Sequence, residues 1–581
     1  MKASILKALA LLVCFALCLP PIPAAFAEED GRETPMGFGE GFGFDYGAAT
    51  QLYSLPTEGT PLKIKDAPSF ESDNTLEIAL PRGLTVIEER AFADCGNMTR
   101  LHIPADVTRI AEGAFTGCSS ITEIYFDGTF DQFYAIDIGA DNECLFNVII
   151  NCGDGERILP LVPRFFPDKA FLDYVSDTFD TDKNRMLSNA EIQAAKEIDC
   201  RNMGISSLEG IELFSELVYL NCSYNNLTEL DVTKNTELTF LGCGFNNLSA
   251  LDVTHNTKLV SLGIASNSIT SLDLSQNPDL QSLSTGTEIQ KEDGRWYTYG
   301  NPLTKLDVTR NPKLILFECA GNNLTALDIS RNTALQHLGC WSNQLTALNV
   351  ANNRELRMIA CTSNPIATLN LSYNTKLEQL HCMSYKLTSL SVANHTQLVR
   401  LRCFNNQLTG LSVSGCSALE TLLCQNNQLT SLNVQNCTAL IEINCNANRL
   451  SSLSLGTARN LQYFQCWNNY LTGVDLSQNT ALKRVNLSAN NRLQSLNLGS
   501  LQNLELIWLQ NTNLTSLDIR NCPNIVNAYQ NGTVYDFGRN GLKLDNGNWV
   551  GYQLGEGLNP GSTDPVSHCA LCVDKTVSLT A

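Results

Sequence analysis

From Ile198 onward, apolar residues return in the frame Leu-x-x-Leu-x-Cys-x-x-Asn-x-Leu with a period of 21 residues. The cysteine stands at 222 and 243, then at 319, 340, 361, 382, 403, 424, 445 and 466, while Ile264, Leu487 and Leu509 hold the same slot without a thiol. Apolar positions alternate inside the frame. Leu241 and Cys243 are therefore expected to point inward from a short strand, with Gly242 and Gly244 facing out. A fixed period of this length predicts a solenoid in which each turn buries its apolar edge only against its neighbours. Each turn has a second half of similar pattern, as in Leu251-Asp252-Val253-x-x-Asn256, and Cys416, Cys437 and Cys522 replace the asparagine of that half. Cys200, with Met203 in place of the slot asparagine, marks an atypical first turn.

Residues 71–156 repeat with a period of 23 instead. Pro81, Leu84, Ile87, Ala91-Phe92 and Cys95 return as Pro104, Val107, Ile110, Ala114-Phe115 and Cys118, so each Ala-Phe pair is expected to be buried under the following turn. At these residues the chain resembles the BspA-like leucine-rich repeats of bacterial surface proteins. Residues 198–526, with their two-part 21-residue turns, resemble the nested IRREKO-type leucine-rich repeat of bacteria. The two resemblances imply a β-rich solenoid of parallel strands. A small EF-hand-like helical cap over 157–197 and a C-terminal β cap over 527–581 complete the expected fold class.

Other segments interrupt the periodicity. Lys2 and Lys7, the apolar run Ala8 to Leu19 and Ala25-Phe26-Ala27 predict a signal peptide over 1–27. Residues 28–70, with Gly37-Phe38-Gly39-Glu40-Gly41-Phe42-Gly43, read as a flexible tether. Between Leu283 and Leu303 the array gains thirteen residues, and Glu292-Asp293-Gly294-Arg295-Trp296-Tyr297 predicts a protruding hairpin.

Composition narrows the function. The formal net charge of −20, or −22 once Lys2 and Lys7 are removed, disfavours nucleic acid and anionic membranes as partners. No later segment is apolar enough for an integral membrane span. Twenty-two cysteines in a secreted chain ordinarily suggest disulfides. Here the thiols share a slot with Ile and Leu, which points to a column of reduced, buried cysteines packing as small hydrophobes.

The candidate chemistry lies at two places. Asp180, Asp182, Asn184, Met186, Ser188 and Glu191 have the spacing of an EF-hand loop, making Ca2+ the one cofactor expected. Arg185 replaces the glycine of its sharp turn, and Ser188-x-x-Glu191 is equally a helix capping box. Trp341, Phe404 and Trp467, three repeats apart in the position after the ladder cysteine, are expected to line an exposed face. Tyr224, Phe245, Met383 and Trp508 occupy adjacent outward slots of the same ligand-binding stripe. The column Asp231, Asp252, Asp273, Asp307 and Asp328 continues as Asn349, Asn370, Ser391 and Ser412, which favours local backbone hydrogen bonding over a metal.

No enzymatic motif is present. The six histidines are scattered, and Cys569-Ala570-Leu571-Cys572 is a lone CxxC. The expected function is a secreted or cell-surface binding protein that meets a protein or glycan on host or neighbouring cells. The alternative is a non-catalytic envelope spacer.

Overall fold

The computed structural model describes residues 76–291, 295–456, 458–530, 571–573 and 577–580, together with the backbone of three short strands, Leu52–Ser54, Leu542–Lys543 and Trp549–Val550. The signal segment, most of the tether and the hairpin tip at 292–294 lie outside the described residues. The chain divides into two units, residues 1–238 and 239–581. It is a solenoid of parallel strands, and no described helix is long and apolar enough to cross a membrane.

In the first unit, strands Leu52–Ser54, Leu76–Ala79, Met98–Ile103, Glu123–Phe126 and Ile149–Cys152 pair in that order, all parallel. The tether was expected to run to residue 70, yet Leu52 already lies in register with Glu77. The array therefore begins earlier than the 23-residue period reveals, because this first strand carries only a fragment of the repeat. Ala114 and Phe115 are fully buried, and Phe115 stacks on Phe92 with ring centres 5.1 Å apart. Strand Arg157–Pro160 then turns back antiparallel, and Met186–Leu187 pairs antiparallel with it. The helices Lys169–Phe179 and Asn189–Ala194 flank the candidate calcium loop, with Phe171 and Val175 turned into the core.

The second unit shows why the 21-residue frame gives such short strands. Each turn contributes about three residues, such as His337–Gly339, Gln379–His381, Arg400–Arg402 and Thr421–Leu423, paired parallel in register. A left-handed residue two places after the ladder cysteine ends the strand: Ser342, Ser363, Asn405 and Asn426 all have φ between 53° and 56°. Short polar side chains tolerate that conformation at the least cost. The inward leucines and cysteines are essentially inaccessible, as at Leu401, Cys403, Leu422 and Cys424.

The thirteen-residue gain forms the expected hairpin, with Ser282–Gln290 antiparallel to Trp296–Tyr299. Gly286 and Gly300 let it lie close to the next turn, since a side chain at either would collide with the backbone of Ala320 or Gly321. The C-terminal segment departs from a simple β cap. Leu571–Cys572 pairs parallel with Leu506–Trp508, and Ser578–Thr580 with Ser516–Asp518. What covers the end is one further turn of the same array, obscured in sequence by the helix Pro523–Gln530 and a long insertion. Cys572 thus belongs to a strand, while its CxxC partner at 569 lies outside the described residues.

Candidate recognition surface

The surface is built on an interior that repeats without chemistry of its own. The ladder thiols are free and buried. Burial pushes the thiols of Cys243 and Cys361 up to about 12, and those of Cys340, Cys382, Cys403 and Cys424 well above the ordinary cysteine value. They are neutral packing groups, not nucleophiles or metal ligands.

Two columns of asparagine hold the turns together. In the first half of each turn, the Asn364 amide donates to the carbonyls of Cys340 (2.9 Å) and Cys361 (3.1 Å), and its Oδ1 accepts from Leu345 N–H (3.0 Å). Asn343, Asn427, Asn448 and Asn469 repeat this bridge. In the second half, Asn353 donates to the carbonyls of Ile329 and Asn332, both at 2.9 Å, while its buried Oδ1 has no partner. The Asp column accepts from local backbone N–H groups, as Asp252 does from Thr254 and Asp307 from Thr309, both at 2.9 Å.

The aromatic stripe does not project as the alternation predicts. Phe404 is only 8% exposed, and the other six residues of the set are half-buried. The cause at Trp341 is visible: its ring folds back over Gly339, where any side chain would collide with it. Gly242 and Gly244 are likewise covered rather than facing out. Phe245 packs against Tyr299 of the hairpin, with ring centres 5.1 Å apart. Trp341, Phe404 and Trp467 each lie three turns apart, about 14 Å at ordinary strand spacing, so they do not form one cluster. Instead Tyr373, Tyr385 and Tyr470 are the well-exposed aromatics among the described residues of this unit.

What the sheet does bring together was missed in sequence. On strands Gln379–His381, Arg400–Arg402 and Thr421–Leu423, His381 lies beside Arg402 in register. Met383, Phe404 and Gln425 follow two residues later on the same side. His381 Nε2, Arg402 Nε and Gln425 Oε1 are buried and have no hydrogen-bond partner, as are the indole nitrogens of Trp341 and Trp467. Burial, then the charges of Arg402 and Arg400, bring the His381 ring down to about 4, so it is neutral near pH 7. The signal in the sequence was Arg400 and Arg402, four and two residues before Phe404.

The first unit contrasts with this. On its sheet the buried Glu77 carboxylate is met by His102 at 2.6 Å and faces Arg100, which also pairs with Glu123 at 3.2 Å. His102 stacks on Tyr125, with centres 4.7 Å apart. That polar cluster is satisfied internally.

The candidate calcium loop brings Asp180, Asp182 and Glu191 together, their nearest oxygens within 4.8 Å of one another. Asp180, 1% exposed, accepts from the N–H groups of Asn184 and Arg185, and Arg185 takes the left-handed conformation (φ 66°) that glycine ordinarily fills. Glu191 accepts from Thr181 and from Ser188 N–H and Oγ, forming the capping box. Burial opposes its ionisation, but these hydrogen bonds outweigh it and hold the carboxyl below the usual range. Asn184 Oδ1 is used by Met186 N–H at 2.7 Å, Ser188 is engaged with Glu191, and Met186 enters a strand. The three carboxylates lie close enough to share a cation, and each also accepts hydrogen bonds within the loop, as Asn184 Oδ1 does.

Comparison with known proteins places both repeat types. Residues 52–136 match the BspA type leucine rich repeat region in six copies. Internalin J of Listeria monocytogenes is 35% identical over 72 residues, which is 12% of this chain and 8% of that protein. The functional domain of InlJ from the same species, described as including a cysteine ladder, is 30% identical with a TM-score of 0.50. That likeness covers 62% of this chain and 82% of the solved domain.

Proposed function

This chain is a leucine-rich-repeat protein related to internalin J, with BspA-type repeats preceding its cysteine-ladder array, and from that premise we propose that it is a secreted or cell-surface protein recognising a protein on host or neighbouring cells. Solenoids of this family are ordinarily non-catalytic binding proteins. The observation that carries the reading is the contrast between the two sides of each strand. Inward positions repeat Leu and Cys, whereas the facing column reads His337, Met358, Gln379, Arg400, Thr421 and Glu442, with no two neighbouring turns alike. A spacer needs only the repeated interior. A surface varied turn by turn over a rigid scaffold suits recognition.

The experiment is binding of the purified full chain to an array of extracellular matrix proteins, cell-surface proteins and glycans. Saturable binding to a protein is expected. Uniformly weak, non-saturable signals would sink recognition and leave the spacer. Calcium belongs to the same reading: Asp180, Asp182 and Glu191 would hold it, joining the two short helices of the first unit. Melting with millimolar Ca2+ against chelator checks this, and identical curves would remove the ion.

A further inference from the structure

We propose that His381, Met383, Arg400, Arg402 and Gln425 form a docking site for an acidic protein segment, a side-chain carboxylate seated between the two arginines with an apolar neighbour against Met383. This rests on the recognition function above and names where and by what chemistry it operates.

Three observations converge on these residues. The first is unsatisfied polarity: His381 Nε2 and Arg402 Nε lie in register on neighbouring strands and Gln425 Oε1 two residues past the end of the next, each buried without a partner. Buried polar groups are hydrogen-bonded in the great majority of cases, so atoms left orphaned this close together mark a polar cluster that the chain does not satisfy internally. The second is charge. In a chain of net charge −20, neither Arg400 nor Arg402 makes an ion pair or side-chain hydrogen bond among the described residues. By contrast Arg357, just before strand Met358–Ala360, is paired with Glu378. The carboxylate that Arg402 influences most visibly, Glu442, stands two strands away without forming an ion pair. A guanidinium fork left free in this way matches a carboxylate bidentately.

The third is composition. Half-buried Met383 lies in line with His381 while Phe404, 8% exposed, backs Arg402 from within, so polar anchors and apolar contact area share one patch. Arginine and aromatic anchors surrounded by apolar contacts are the usual make-up of an interface centre. A sulfated glycan fits less well: two cations cannot offset the repulsion of the surrounding acidic surface for a polyanion.

The test uses the full chain as bait for a random dodecapeptide library displayed on phage, followed by affinity measurement with synthetic copies of the enriched peptides. Enrichment of Asp or Glu beside an apolar residue is expected. Affinity should fall about tenfold or more in R400A/R402A, and equally when the peptide acid becomes its amide, but not in R484A. The melting temperature of R400A/R402A should be unchanged, because neither arginine has an internal partner to lose.

Enriched peptides without a carboxylate, peptides that bind R400A/R402A as tightly as the parent, or no enrichment at all would each overturn the site. Tighter binding of a heparin oligosaccharide than of any peptide, lost in R400A/R402A, would overturn it in favour of a glycan. Protein-array binding that survives R400A/R402A would leave recognition standing and reject only this location.

Discussion

The two asparagine columns of the second unit occupy comparable places in the two halves of each turn, yet they are not equivalent. A first-half asparagine such as Asn364 uses both ends of its amide: two carbonyls receive its N–H groups and one backbone N–H is given its oxygen. A second-half asparagine such as Asn353 uses only the donor end, and the same oxygen is orphaned at Asn277, Asn311, Asn332 and Asn374. Only a donor is required there, and the chain's own substitutions follow from that. Cys416 and Cys437 donate Sγ–H to the carbonyls of Val392 (3.0 Å) and Val413 (3.1 Å), the equivalents of the carbonyl Asn353 meets. His395 reaches the carbonyl of Leu371 at 3.2 Å, and Ala458 and Leu501 dispense with the donor altogether. A residue type repeated along a solenoid therefore reports how much of its chemistry is in use.

The largest effect should appear at alkaline pH, where thiols of both kinds are tested together. Burial raises Cys361 of the ladder and Cys416 of the second column each to about 12, against about 8.5 in an unfolded chain. For groups raised in the folded state, the contribution to stability is complete below about pH 8.5 and is lost as pH climbs from there toward 12. Each such thiol should remove about 1.4 kcal/mol per pH unit in that window. Melting of the reduced protein should fall steeply between pH 8 and 10 and hardly between pH 6 and 8. A flat profile across pH 10 would mean that the thiols ionise in place.

Next comes the first column itself. Asn364→Ala orphans two carbonyls and one N–H, and should cost about 3 kcal/mol or more, read as a shift in denaturant midpoint. Tyr385 shows the exception, since it takes the slot of one turn in a left-handed conformation with its side chain 62% exposed. Ser384 repairs that turn, its Oγ lying 2.7 Å from Asn406 Oδ1 and 3.3 Å from the N–H groups of Lys386 and Leu387. Ser384→Ala should therefore cost about 2 kcal/mol, far more than an ordinary half-turn serine. A loss no larger than that of Ser363→Ala would break the claim that every turn must fill this slot.

Much of this architecture was legible from period alone. The 21-residue frame fixes register, and register identifies Leu241 and Cys243 as interior and the asparagines as bonded to backbone. Alternation could not say how far an outward ring folds back: Trp341 covers Gly339, and Phe404 is nearly buried among its neighbours. Nor could it assemble the patch around Arg402, because His381 and Arg402 become neighbours only when their strands align. The aromatic stripe drew the reading along one column, whereas the unsatisfied atoms run across several. At the loop, Arg185 departs in sequence from the expected glycine, and the structure accommodates it at φ 66° with its N–H donating to Asp180.

The smallest effect is also the sharpest test of the comparison. Asn353→Cys keeps a single donor aimed at the Ile329 carbonyl, as Cys437 does for Val413, and removes an oxygen that has no partner. The weaker S–H donor and the lost bond to Asn332 are partly offset by relief of that orphan, so the net cost should be about 1 kcal/mol or less. The same change at Asn364 leaves Leu345 N–H without its acceptor and two carbonyls sharing at most one donor, and should cost about three times as much. Paired denaturant titrations of the two variants decide the matter. Equal losses would mean that the orphaned oxygens are satisfied in solution and that the two columns do the same work.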